Sequence, residues 1–122
     1  MDLLVASRRS EQQENARLRV MRLVYDQPEI STRALADAVG ISNGSAYYVL
    51  KALIEKGFVK LEGFNNNLQK AQYAYLLTPK GIREKSLLTH SFITRKREEF
   101  EGLRAEINDL EKELGLNPTN IS

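Results

Sequence analysis

The sequence predicts a mainly α fold with one small two-stranded β element and a long terminal helix. Three features predict it. Residues 31–39 and 42–57 carry apolar side chains at helical spacing and are separated only by Gly40-Ile41. After Gly57 the pattern turns to strand-like alternation on both sides of a polar stretch at 63–72. Beyond Pro79 no further proline occurs before Pro118, and apolar residues recur at alternating spacings of three and four.

Residues 1–10 carry no decisive pattern and are expected to be a flexible N-terminus. Glu11 to Asp26 reads as the first helix, with Ser10 as its cap and Glu11 and Glu14 in the first turn, where the helix dipole favours acidic groups. Ala16, Val20, Leu23 and Val24 form its inward stripe. Arg17, Arg19 and Arg22 project elsewhere and are expected to be solvated, one of them a candidate phosphate contact. Pro28 ends this element.

Ser31 caps a short helix from Thr32 to Val39, with Leu35 and Ala36 inward. Gly40-Ile41 then turns the chain into the cap at Ser42, whose hydroxyl can accept from an orphan amide of the next helix. Gly57 stops that helix, because glycine takes the left-handed cap conformation without steric cost. Ala46, Val49, Leu50 and Leu53 form its buried stripe. Gly44, Ser45, Tyr47, Tyr48 and Lys51 lie opposite. Those side chains are small, hydroxylic, aromatic or cationic, where a solvated face would carry more Glu and Lys. Two short helices around a tight glycine turn make a helix-turn-helix, in which the second helix enters the major groove with its N-terminal residues at base edges. A plain helical hairpin in a bundle is the alternative, and the following segment argues against it. Phe58 to Glu62 and Tyr73 to Leu77 read as strands around the polar loop 63–72, a hairpin placed where a wing would be. The order gives a winged helix-turn-helix.

Thr78 caps the last helix, with Pro79 at the first position, where its missing amide costs nothing. Gly81 and Gly102 are tolerated single glycines. At about 36 residues and roughly 54 Å, this helix exceeds what so small a domain buries along one side. Ile93, Phe100, Leu103, Ile107, Leu110 and Leu114 fall on a heptad seam, with Lys96 the polar intruder and a weaker continuation back through Thr89, Ser86 and Ile82. Arg97, Glu98, Glu101, Arg104, Glu106, Glu111 and Lys112 flank it. This is the pattern of a short coiled coil and predicts a homodimer. An intramolecular helix pair would use the same seam, but no other element is left to cover it. Leu87, Leu88 and Phe92 lie off the seam and are expected to pack on the winged-helix body or on a partner's first helix. The expected organisation is a winged-helix domain at 11–78, a dimerisation helix at 79–114 and a tail at 115–122.

The formal net charge of +2 does not announce nucleic-acid binding. The cationic surplus lies in residues 1–80, while 81–122 are slightly acidic, a weak asymmetry in the direction of a DNA-binding head. The absence of cysteine excludes disulfides and thiolate metal sites and fits a reducing compartment. The N-terminus lacks the signal-peptide pattern, and no apolar run approaches the roughly 20 residues of a membrane span. A cytoplasmic protein is expected. His90 is the single histidine and has no nucleophile near it in sequence. With no phosphate-binding glycine loop and no metal-ligand cluster, neither an enzyme, a cofactor nor a metal is expected.

Three runs carry a resemblance: Leu35-Ala36 with Gly40-Ile41-Ser42, then Leu50 to Lys60, then Tyr73 to Ile82. Over about residues 14–114 the chain resembles MarR-type winged-helix regulators and, more narrowly, is similar to the MarR family EPS-associated transcriptional regulators. The resemblance implies a homodimer that binds a pseudo-palindromic operator in double-stranded DNA and is associated with exopolysaccharide gene clusters. Position by position, it places recognition-helix contacts on Ser42, Asn43, Ser45, Tyr47, Tyr48 and Lys51, and the wing on 63–72 with Lys70. MarR wings typically carry arginines, whereas this tip, Asn65 to Lys70, has one cation and no arginine. Larger MarR proteins hold small phenolic ligands between several terminal helices. This chain has one such helix, so no effector pocket is implied.

The mechanism that follows docks two 42–57 helices into successive major grooves, about 34 Å apart. Asn43 would pair with adenine and Lys51 with guanine or a phosphate. Tyr47, nearer the apolar border, and Tyr48, squarely outward, would meet a phosphate or a thymine methyl. Arg95, Lys96 and Arg97 could add phosphate contacts, but beside Glu98 and Glu99 they read first as coiled-coil ion-pair partners. The competing reading is a winged-helix protein–protein interaction module without specific DNA binding, which the low net charge and the arginine-free wing favour.

Overall fold

The computed structural model describes residues 3–64 and 72–116. The elements in order are α1 (Leu3–Asp26), α2 (Thr32–Val39), α3 (Asn43–Glu55), β1 (Val59–Phe64), β2 (Gln72–Leu77) and α4 (Pro79–Glu113). The chain divides into two compact units, Met1–Thr89 and His90–Ser122.

In the first unit, α1 begins at Leu3, not at Glu11, so residues 3–10 are helical and Ser10 is an interior residue rather than a cap. The reason is local. No glycine or proline lies between 3 and 26, and once a helix exists each further residue adds a hydrogen bond at little cost. Leu18, Val20, Met21 and Val24 are its buried side chains. Ala16 and Leu23, expected inward, are half-buried. Leu35, Ala36 and Val39 of α2 and Ala46, Leu50 and Leu53 of α3 complete the helical core.

Caps fix the boundaries of the middle helices. Ser31 Oγ accepts the Ala34 amide at 3.0 Å, and Ser42 Oγ accepts the Ser45 amide at 3.1 Å. At the end of α3 the Gly57 amide donates to the Ile54 carbonyl (3.0 Å) and the Phe58 amide to the Leu53 carbonyl (2.9 Å), with Gly57 at φ 77°. That pairing is the Schellman motif. It brings Phe58 and Leu53 together in the core.

The antiparallel strands pair Val59 with Leu77 through Phe64 with Gln72. Each is slightly longer than the alternation predicts. The expected wing tip, with Lys70, lies outside the described residues. Val59 and Ala74 are buried, but Leu61 is exposed, because β1 leaves the core as it runs towards the tip. The Tyr75 amide donates to the Pro28 carbonyl at 2.8 Å, so the α1–α2 connection adds one hydrogen bond to the outer edge of β2.

Thr78 caps α4 as its sequence position predicts, its Oγ1 accepting the Gly81 amide at 3.0 Å. The same hydroxyl donates to the Gly57 carbonyl at 2.6 Å, and the Thr78 amide donates to the Phe58 carbonyl at 3.0 Å. Gly81 is not a merely tolerated glycine. A Cβ there would run into the Phe58 backbone, 2.8 Å from its carbonyl carbon. Leu88 is buried in this unit, Leu87 is exposed, and Phe92 of the second unit is half-buried under Lys96. In the second unit α4 ends at Glu113 with a second Schellman motif: the Gly115 amide donates to Lys112 (3.1 Å) and the Leu116 amide to Glu111 (2.7 Å).

Candidate nucleic-acid interface

Helix α3 has two unlike faces. The side holding Ala46, Leu50 and Leu53 is fully covered. At 100° per residue the opposite side carries Gly44, Tyr48, Lys51 and Glu55, with Asn43 and Tyr47 along one border and Ser45 along the other. Tyr47 is 63% exposed and Tyr48 73%, so neither ring packs in the core, and Tyr47 is less covered than its border position suggests. Val49, counted in the apolar stripe, is half-buried.

The first turn is built by its hydroxyls. Ser42 Oγ accepts the Ser45 amide while its own proton goes to Ser45 Oγ at 2.9 Å. Ser42 therefore acts first as a cap, and its hydroxyl also fixes the exposed Ser45 side chain in the first turn. Asn43 is exposed in the same turn. An added Cβ at Gly44 would find nothing closer than Ser42 Oγ at 4.0 Å. Among the described residues no packing requires that glycine, and its bare backbone leaves room for close approach from outside.

The C-terminal end of α3 is held by groups that helical periodicity does not reveal. Lys80 Nζ donates to the Lys56 carbonyl at 3.0 Å and lies 5.2 Å from the Phe58 ring centroid. Its charge sits at the negative end of the α3 dipole, where a cation is favourable. With the Thr78–Gly57 hydrogen bond, it ties the start of α4 to the end of α3. At the other flank, Arg17 of α1 lines an open groove with Ser45, Tyr48 and Lys56. It is the member of the α1 arginine set that reaches the predicted contact residues. Glu55, one turn past Lys51 on the outward face, went unremarked in the residue pattern. The i, i+4 spacing from Lys51 would have placed it.

The six apolar seam residues, Ile93, Phe100, Leu103, Ile107, Leu110 and Leu114, are all exposed in the isolated chain, as is His90. Among the described residues no helix is long and apolar enough to cross a membrane.

A family model described as winged helix-turn-helix DNA-binding matches residues 13–60, the span from α1 into β1. The fold is a winged helix-turn-helix. Solved structures agree with the wider architecture. A MarR/EmrR family transcriptional regulator from Acinetobacter sp. ADP1 aligns with a TM-score of 0.59 at 21% identity, over 86% of this chain and 73% of that one. The transcriptional regulator SlyA gives 0.58 at 21% identity over 87% and 73%. A Staphylococcus aureus MepR variant bound to an oligodeoxyribonucleotide gives 0.54 at 16% identity over 88% of both chains. No curated protein matches the sequence significantly. At these identities the likeness establishes the winged-helix fold.

Proposed function

We propose that this protein is a non-enzymatic, sequence-specific DNA-binding regulator of transcription that acts in the cytoplasm as a homodimer. The observation that carries the reading is the outward face of α3. On the second helix of a winged helix-turn-helix, Tyr47, Tyr48 and Lys51 stand exposed around a glycine that packing among the described residues does not need. Asn43 and Lys51 are the candidates for base edges. Ser45, Tyr47 and Tyr48 are suited to phosphates or a thymine methyl, and Arg17 to a flanking phosphate. Ser42 contributes by shaping the turn. Lys70 is the proposed cation of the wing. The DNA-bound MepR structure supports the docking mode by fold alone.

Homodimerisation rests on the exposed α4 seam, and two copies of α3 would then read a pseudo-palindromic operator. A role at exopolysaccharide genes rests on the sequence resemblance of the 35–60 and 73–82 runs. Transcript profiling of a deletion strain checks it: unchanged exopolysaccharide transcripts would remove it without touching DNA binding.

The direct test is fluorescence anisotropy with DNA from upstream of the protein's own gene and from other candidate promoters, against scrambled duplex. Specific binding that Tyr48→Ala and Lys51→Ala each weaken roughly tenfold is the expected result. Equally feeble binding to every duplex would favour the protein-interaction reading, which the low net charge of +2 already suits.

A further inference from the structure

The seam residues of α4 carry more information than the presence of a partner. With successive spacings of three and four, Ile93, Phe100, Ile107 and Leu114 occupy heptad position a, while Lys96, Leu103 and Leu110 occupy d. Ile93 and Ile107 are β-branched at a, and Leu103 and Leu110 are leucine at d. That distribution favours two parallel strands, in which a packs on a′ and d on d′.

The flanking charges point the same way. Position g holds Glu99, Glu106 and Glu113. Position e holds Arg97 and Arg104, then Glu111. In a parallel pair each g residue faces the e residue five positions on in the other helix. Glu99 then meets Arg104 of the second copy, and the contact occurs twice by symmetry. Phe92 meets Arg97, and only Glu106 against Glu111 is unfavourable. Antiparallel pairing sets g against g′ and e against e′. Glutamate then faces glutamate along the g edge, and Arg104 faces an arginine in the alignment that uses the whole seam.

Lys96, the one charged residue at d, fits this arrangement through its observed contacts. Its Nζ lies 3.1 Å from Glu99 Oε2 and 5.2 Å from the Phe92 ring centroid. Both partners are g residues. The ammonium therefore leans over the g edge, and the methylene stem stays available to the seam.

We infer that residues 93–114 of two copies pair as a parallel, in-register two-stranded coiled coil, its direction set by the Glu99–Arg104 charge pattern. The inference rests on the homodimer reading above and specifies its geometry. Parallel pairing brings the two residue-93 ends together, so the chain segments that precede them emerge at the same end of the pair.

The chain lacks cysteine, so single substitutions report geometry directly. In the full-length protein, Ile93→Cys and Leu110→Cys should each form a disulfide-linked homodimer under mild oxidation, because identical residues face one another. An antiparallel pair would cross-link only in a mixture of the two variants, and that result overturns the proposal. The surface variant Arg104→Glu provides a test that leaves the seam intact. By sedimentation its dimer dissociation constant should rise about fivefold, and Glu99→Arg in the same chain should restore it. An unchanged or tighter Arg104→Glu dimer overturns parallel pairing while leaving the homodimer standing. A wild-type protein that sediments as a monomer at micromolar concentration overturns the homodimer reading itself.

Discussion

Gly44 is the residue where sequence and site meet most sharply. Glycine costs a helix up to about 1 kcal/mol relative to alanine, and the space around its α-carbon is open on the protein side. If that space exists for DNA, stability and binding should move in opposite directions. Gly44→Ala should stabilise the protein by about 0.5 kcal/mol, through lost freedom in the unfolded chain, while operator affinity falls roughly tenfold. Chemical denaturation and anisotropy on the same preparation check both halves. Affinity that survives unchanged would remove Gly44 from the contact face. At 73% exposure the Tyr48 ring has little packing to lose, so any loss of binding in Tyr48→Ala reflects contact rather than unfolding.

At the scale of elements, the decisive junction lies where the α3–β1 turn meets the start of α4. The Thr78 hydroxyl caps α4 and bonds the Gly57 carbonyl, Lys80 bonds the Lys56 carbonyl, and Gly81 lies against Phe58. Helix α3 is thus held at its C-terminus by the element that follows the wing. A methyl group at position 81 must displace Phe58, which is itself buried. Overpacking of that kind costs about 2 kcal/mol. Gly81→Ala is therefore expected to lower the melting temperature by about 10 °C, measured by circular dichroism, whereas Gly102→Ala should not, since nothing lies within 4 Å of an added Cβ there.

At the scale of the whole molecule, a net charge of +2 makes the electrostatic signature diagnostic. A protein that contacts phosphates releases counterions, and its affinity falls steeply with salt however small its overall charge. With a few cations per copy near α3, specific affinity should fall roughly a hundredfold between 50 and 200 mM salt, followed by anisotropy. A nearly flat salt series on the specific duplex would show that Lys51 and Arg17 do not neutralise phosphates.

The element order, both serine caps, the glycine stop after α3 and the outward set on that helix were legible in the sequence. Each depends on residues a few positions apart: a hydroxyl three residues before an amide, a glycine at a left-handed turn, a periodicity of one helix or strand. The start of α1 was missed because Ser10 resembles a cap in isolation, yet nothing before it obliges the helix to stop. What the tertiary structure alone decided involves residues distant along the chain. It moved Leu61 out of the core, turned Gly81 from a tolerated residue into one that packing requires, brought Lys80 to the end of α3 and placed Arg17 beside Ser45 and Tyr48. Periodicity assigns a side chain to a face of its own element. Only the packing of elements against one another determines what that face meets and where the core ends.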